Sequence, residues 1–248
     1  MPLKIASRIP WAGAAGLALS VLSTAAQADG FVRLSNTGPT VLTRCNQADR
    51  PNDRDCLVTS LPGLPGFRLV ASRSAPIIIN DVTVGTSFEK VWQKVDSPRR
   101  YVFGVRVQLN ASQWDLSGQP FRINDLSRRT RTGKAVSVAY SPVGDSRPLA
   151  RAGRTAQGLN EYDDSQPERD NTWLDFRINA AAGAPGQPGN AKSPWLLVET
   201  AAPKGYALAQ FGLRALNSDY TDPTLAVDLY TAAYQPNGVP AGDDDDDD

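Results

Sequence analysis

Three observations predict an all-β fold, an antiparallel β-sandwich or jelly roll with long loops and little helix. Apolar residues recur with a period of two in run after run, which puts them on one face of a pleated strand. Gly and Pro separate these runs at short intervals. No run carries a convincing helical period. Several short strands with turn signals between them fit a sandwich better than a parallel α/β sheet.

Residues 1–28 have the layout of a signal peptide. Lys4 and Arg8 supply a positive start, Trp11 to Leu22 is uncharged and mostly apolar, and Ala26-Gln27-Ala28 is an A-x-A cleavage site before Asp29. A retained membrane anchor needs roughly 20 apolar residues, and this run is shorter. No cysteine stands at the cleavage point, no paired arginines mark a folded-export signal, and no later run approaches spanning length. The expected location is therefore exported, periplasmic or extracellular, without a membrane span.

Residues 29–242 are expected to form a single β-sandwich domain, large enough to bury on the order of 70% of its unfolded surface. Phe31 to Leu34 is the first strand candidate. Cys45 and Cys56 then flank a polar segment that cannot pack by itself. An oxidising compartment makes a disulfide their expected state, limiting the unfolded chain by roughly 3 kcal/mol on the entropic model. Leu61-Pro62-Gly63-Leu64-Pro65-Gly66 excludes helix interior. Ile77 to Val84 and Phe88 to Val95 are strand candidates. Tyr101 to Leu109 alternates clearly, with Tyr101, Phe103, Val105, Val107 and Leu109 on one face and Gly104, Arg106 and Gln108 on the other.

Ser127 to Lys134 fits a short helix or a basic hairpin. Ala135 to Tyr140 is a strand, followed by a turn at Ser141-Pro142-Val143-Gly144. Thr172 to Ile178 points Leu174, Phe176 and Ile178 inward. Ala180 to Ser193 is a long loop rich in Gly and Pro. Trp195 to Thr200, Tyr206 to Leu213 and the alternation of Leu225, Val227 and Leu229 complete the strands, and Gln235-Pro236-Asn237-Gly238 is a turn. Asp243 to Asp248 is expected to be disordered, because six adjacent like charges repel.

The formal net charge is zero, but the charges are unevenly placed. Residues 90–154 hold 13 Lys and Arg against 4 Asp and Glu, whereas residues 155–242 hold 5 against 10. Arg122, Arg128, Arg129, Arg131 and Lys134 form a local basic cluster, followed by Arg147, Arg151 and Arg154. Such a patch attracts anionic polysaccharide, lipid headgroups or nucleic acid. Export makes nucleic acid the poorest fit, so no nucleic-acid partner is expected. The competing assignment is an internal match to the acidic second half or to the aspartate tail.

There is no histidine. Ser-His-Asp and Cys-His catalysis, haem attachment through C-x-x-C-H and histidine-based zinc or copper sites are thereby excluded. Two further candidate sites remain. Asp163, Asp164, Asp170 and Asn171 sit in the densest oxygen-rich stretch, and a hard cation such as calcium takes six to eight oxygens, although no EF-hand register is present. The competing assignment is a solvated loop. Trp173, Asp175 and Arg177 share the face opposite Leu174 and Phe176. An outward indole beside charged groups is a stacking platform for a sugar ring, unless a loop or second layer covers it. Trp92, Trp114 and Trp195 lie in strands of unclear register.

The leading expectation is an exported, non-enzymatic β-sandwich that binds a polysaccharide, another surface protein or calcium. One alternative is a structural subunit of an extracellular fibre or matrix, donating the strand at Phe31 to Leu34 to a neighbour. The other is a glycoside hydrolase or lyase working through carboxylates.

Overall fold

The computed structural model describes residues 30–37, 39–42, 56–59, 61, 66–115, 118–130, 134–144, 151–159, 167–183, 189–217 and 227–237. Among these there is no helix, and so none long and apolar enough to cross a membrane. There are twelve strands: β1 (Val32–Leu34), β2 (Val41–Leu42), β3 (Phe67–Ile79), β4 (Val82–Lys94), β5 (Arg100–Leu109), β6 (Arg122–Arg129), β7 (Val136–Ser141), β8 (Arg151–Gly153), β9 (Trp173–Ala181), β10 (Trp195–Ala201), β11 (Tyr206–Asn217) and β12 (Val227–Pro236). They form two six-stranded antiparallel sheets. The first has the order β1-β7-β10-β5-β4-β3 and the second β12-β11-β6-β9-β8-β2.

The two sheets pack face to face as a β-sandwich. The period-two residues of β5, β7, β9 and β10 make the shared core, in which Val105, Val138, Leu174, Phe176 and Leu196 are at most 0% exposed. Each such side chain contributes roughly 1.5–3 kcal/mol relative to staying in water. At the β3/β12 rim the interior turns polar. Arg128 of β6 pairs with Glu89 of β4 at 3.2 Å, and Glu89 also accepts from the Tyr234 amide at 3.0 Å. Arg73 of β3 reaches Glu89 at 3.5 Å and the Ala232 carbonyl at 2.8 Å. This buried ionic group ties one sheet to the other.

Several strand expectations change. Ile77 to Val84 is not one strand: it contains the reversal between β3 and β4. Asn80 and Asp81 take φ of 47° and 61° between the paired Ile79 and Val82. Positive φ at both central residues is the condition for the tight hairpin turn whose twist matches its strands. Of Ser127 to Lys134, Ser127 to Arg129 are the end of strand β6 rather than a helix, and residues 131–133 lie outside the described residues. β2, β8, the first part of β6 and β3 up to Pro76 carry no strand signal in the sequence. β1 pairs with β7 inside its own sheet, with Val32 opposite Val138.

Candidate functional site

Both sheets carry a charged and aromatic outer face, and the two differ in what lies over them. On the first sheet, the outward side chains of four neighbouring strands converge. Ser72 lies opposite Lys90 and Ser74 opposite Phe88. Phe88 lies opposite Arg106. Leu196 pairs with Val105, which brings Trp195 beside Arg106. Together they line an open hollow of about 420 Å³.

The aromatic part of this hollow rests on a close approach. Trp92 is fully buried and meets Trp195 edge-on, with ring centroids 6.3 Å apart. Its ring crosses β5 at Gly104, where a Cβ would stand 2.7 Å from the indole. Any larger residue there would displace Trp92 and, through it, Trp195. Phe31, Val58, Leu61 and Phe67 pack over the Trp92 and Leu197 end of this face. The hollow is the part beyond that cover.

Lys90 Nζ stands 5.3 Å from the Trp195 ring centre. The Arg106 guanidinium lies 4.5 Å from the Phe88 ring and 5.6 Å from Trp195. These cation–π contacts hold both side chains in place. Among the described residues no carboxylate forms a salt bridge with either. Glu89, between Phe88 and Lys90, projects to the opposite face and is taken up by Arg128 and Arg73. The hollow therefore presents two cations without an acid partner among the described residues, the half-buried Phe88 ring and two exposed serine hydroxyls, while Trp195, 7% exposed, lies beneath the two cations. Buried Arg106 Nε has no hydrogen-bond partner.

The outer face of the second sheet holds the sequence-predicted group Trp173, Asp175 and Arg177. The alternation places them opposite the core, but all three are covered, at 8%, 0% and 3% exposed. Trp173 is therefore not an open stacking platform. Tyr230 packs edge-on to it at 6.1 Å and Arg129 lies 5.5 Å from its ring. Arg177 pairs with Asp125 of β6 at 2.8 Å, and Ser127 donates to Asp175 at 3.0 Å. The segment after β8 closes over this group, with the Leu159 amide donating to Asp125 at 2.9 Å. Gly158 permits that: a Cβ there would stand 3.3 Å from Asp125 and 2.9 Å from Leu216.

This burial raises both carboxyls. Asp125 is pushed up to about 6 by loss of water, against the pull of Arg177. Asp175 is held well above the usual carboxylate range by burial and then by the charge of Asp125. One Asp175 oxygen has no hydrogen-bond partner. Two neighbouring carboxyls with raised pKa resemble an acid–base pair. Here, however, they sit beneath the chain at Gly158 and Leu159.

Of the proposed calcium ligands, Asp163 and Asp164 lie outside the described residues. Asp170 accepts at 2.6 Å from both the amide and the hydroxyl of Thr172, a local turn bond. The Asn171 carbonyl accepts from Arg154 at 3.3 Å. No group of three or more metal-binding side chains occurs among the described residues. Cys56 is buried at 1% exposed, and Cys45 lies outside the described residues. The basic cluster does not form a continuous surface patch: Arg128, Arg151 and Arg154 are buried and Arg129 lies against Trp173. Arg131 and Arg147 lie outside the described residues.

The alternation had already put Arg106 on the solvent side of β5, but Ser72, Ser74, Phe88, Lys90 and Trp195 were missed as a site. With Arg106 they come from four strands, and only the register brings them together. No protein-family model matches the chain, and no curated protein or solved structure matches it.

Proposed function

We propose that this chain is an exported binding protein, without catalysis, whose ligand is an anionic polysaccharide seated in the hollow between Ser72 and Trp195. The observation that carries the reading is the pair Lys90 and Arg106, fixed on Trp195 and Phe88 without a carboxylate among the described residues to neutralise them. A sugar ring offers C–H faces to the part of the Phe88 ring left exposed. Its carboxylate or sulfate offers acceptors to a guanidinium and an ammonium, and its hydroxyls suit the serines. A neutral glycan would use only half of these groups.

Isothermal titration with an oligogalacturonate and a neutral glucan oligomer of equal length tests this. Binding of the charged oligomer alone, weakening as salt rises, is expected. Equal affinity for both, or binding of neither, would remove the reading. A Cys45–Cys56 disulfide belongs to the same proposal, since export places the chain where such bonds persist. Thiol labelling of the unfolded chain before and after reduction tests it. Calcium at the loop containing Asp163, Asp164, Asp170 and Asn171 is a separate and weaker proposal, tested by calorimetry with calcium alone.

A further inference from the structure

The sequence holds a second source of negative charge for this hollow. Asp243 to Asp248 follows β12 after a short link, residues 238–242. The strand ends next to the edge that carries the hollow. Tyr206 pairs with Pro236, and the Asn237 amide donates to the Gly205 carbonyl at 2.9 Å. The Tyr206 hydroxyl donates to the Val70 carbonyl at 3.1 Å. Val70 lies two residues from Ser72 along β3, about 7 Å at strand rise.

We infer that the aspartate run folds back around the β3 edge in cis and occupies the cationic hollow, competing there with the anionic glycan. Three points carry this. The first is reach: the link from Asn237 to Asp243 spans up to about 20 Å when extended. Crossing one sheet separation takes about 10 Å, which leaves length to arrive at Ser72. The second is spacing. Lys90 lies opposite Gly104, two residues from Arg106 on the next strand. The two cations are therefore diagonal neighbours, about 7–8 Å apart at their origins. Alternate residues of an extended chain project to one side about 7 Å apart, so two aspartates of the run match two cations. The third is charge: Glu89 in the lining is taken up by Arg128 and Arg73, which leaves Lys90 and Arg106 without an acid among the described residues, and the run has acids without cations.

The inference rests on the glycan-site reading, and the test separates them. In the full chain, Asp243 to Asp248 are all replaced by Asn, and oligogalacturonate is titrated into parent and variant. The variant should bind about tenfold more tightly at low salt. The advantage should vanish at high salt and also vanish when Lys90→Ala and Arg106→Ala are added. Amide resonances of Phe88, Lys90 and Arg106 should differ between parent and variant without any glycan, independently of protein concentration. A glycan that binds both chains equally, with unchanged resonances, overturns the tail contact and leaves the glycan site standing. Shifted resonances with no glycan binding overturn the glycan site and keep the tail contact. Shifts that grow with concentration replace the contact in cis by one between copies, and overturn the inference as stated.

Discussion

The two outer faces of the sandwich use the same materials to opposite ends. Each sets arginine against aromatic rings on a β-sheet. On the second sheet Arg177 meets Asp125, and the chain at Gly158 and Leu159 closes over the pair. On the first sheet, among the described residues, Lys90 and Arg106 meet no acid and the cover consists of Phe31, Val58, Leu61 and Phe67 at the Trp92 end. Charge matched and covered is structural, because removing water from both partners leaves them committed to each other. Charge unmatched and open remains able to recruit an anion from outside. The difference lies both in the strands, where β6 supplies Asp125 to Arg177, and in the segments laid over them.

The sharpest way to break this comparison is to delete one arginine from each face. Arg177→Ala strands the buried Asp125 and should cost about 3–5 kcal/mol in urea unfolding, as breaking a buried pair does. Arg106→Ala removes only cation–π contacts and should cost about 1 kcal/mol or less. Equal losses would mean that the first hollow is structural too.

The next effect depends on pH. The folded-state pKa of Asp125, about 6, lies above the ordinary 3.8, so folding takes up protons between these values. The stability this group contributes is complete below pH 4 and is lost as pH rises through 6, on the order of 2–3 kcal/mol. Asp175 is shifted the same way. Asp175→Asn keeps the shape and removes one titration. It should match the parent near pH 4 and exceed it in urea midpoint above pH 6. A difference that does not change with pH would show that the carboxyl is not held protonated.

A smaller effect is expected in binding. Lys90→Ala and Arg106→Ala should each weaken oligogalacturonate binding about tenfold, near 1.4 kcal/mol, measured by titration at low salt. Asp228→Ala, on the second face, should leave it unchanged. Least of all, Phe211→Ser at a side chain 51% exposed should move stability by no more than about 0.5 kcal/mol in the same unfolding assay.

Much of the fold was legible where one face of a strand is apolar. Tyr101 to Leu109, Val136 to Tyr140 and Leu174 to Ile178 show the alternation and occupy the core as it requires. β3 was not legible from Phe67 to Pro76, because an edge strand exposed at Arg68, Ser72 and Ser74 loses its apolar alternation. The Asn80-Asp81 turn had a signal, a dipeptide tolerant of positive φ between apolar runs, and the continuous apolar pattern on either side hid it. The alternation put Trp173 on its actual face but is silent about cover, since a loop laid over a sheet leaves no periodicity. The Lys90 and Arg106 hollow depends on strand register across the sheet, which no local pattern encodes.

The long rim strand β3 carries one more consequence. It stands at the end of its sheet with β4 on one side only, an invitation for a second molecule to add its own strand. Pro76 interrupts that invitation. It sits within the strand opposite Thr86, and its ring nitrogen has no hydrogen to offer an incoming chain. The charged Arg68 and the bulge between Leu69 and Ala71 roughen the remaining half. The free edge of β3 is thus closed to strand addition at Pro76 and roughened over its other half, so copies meeting at high local density do not fuse their sheets along it.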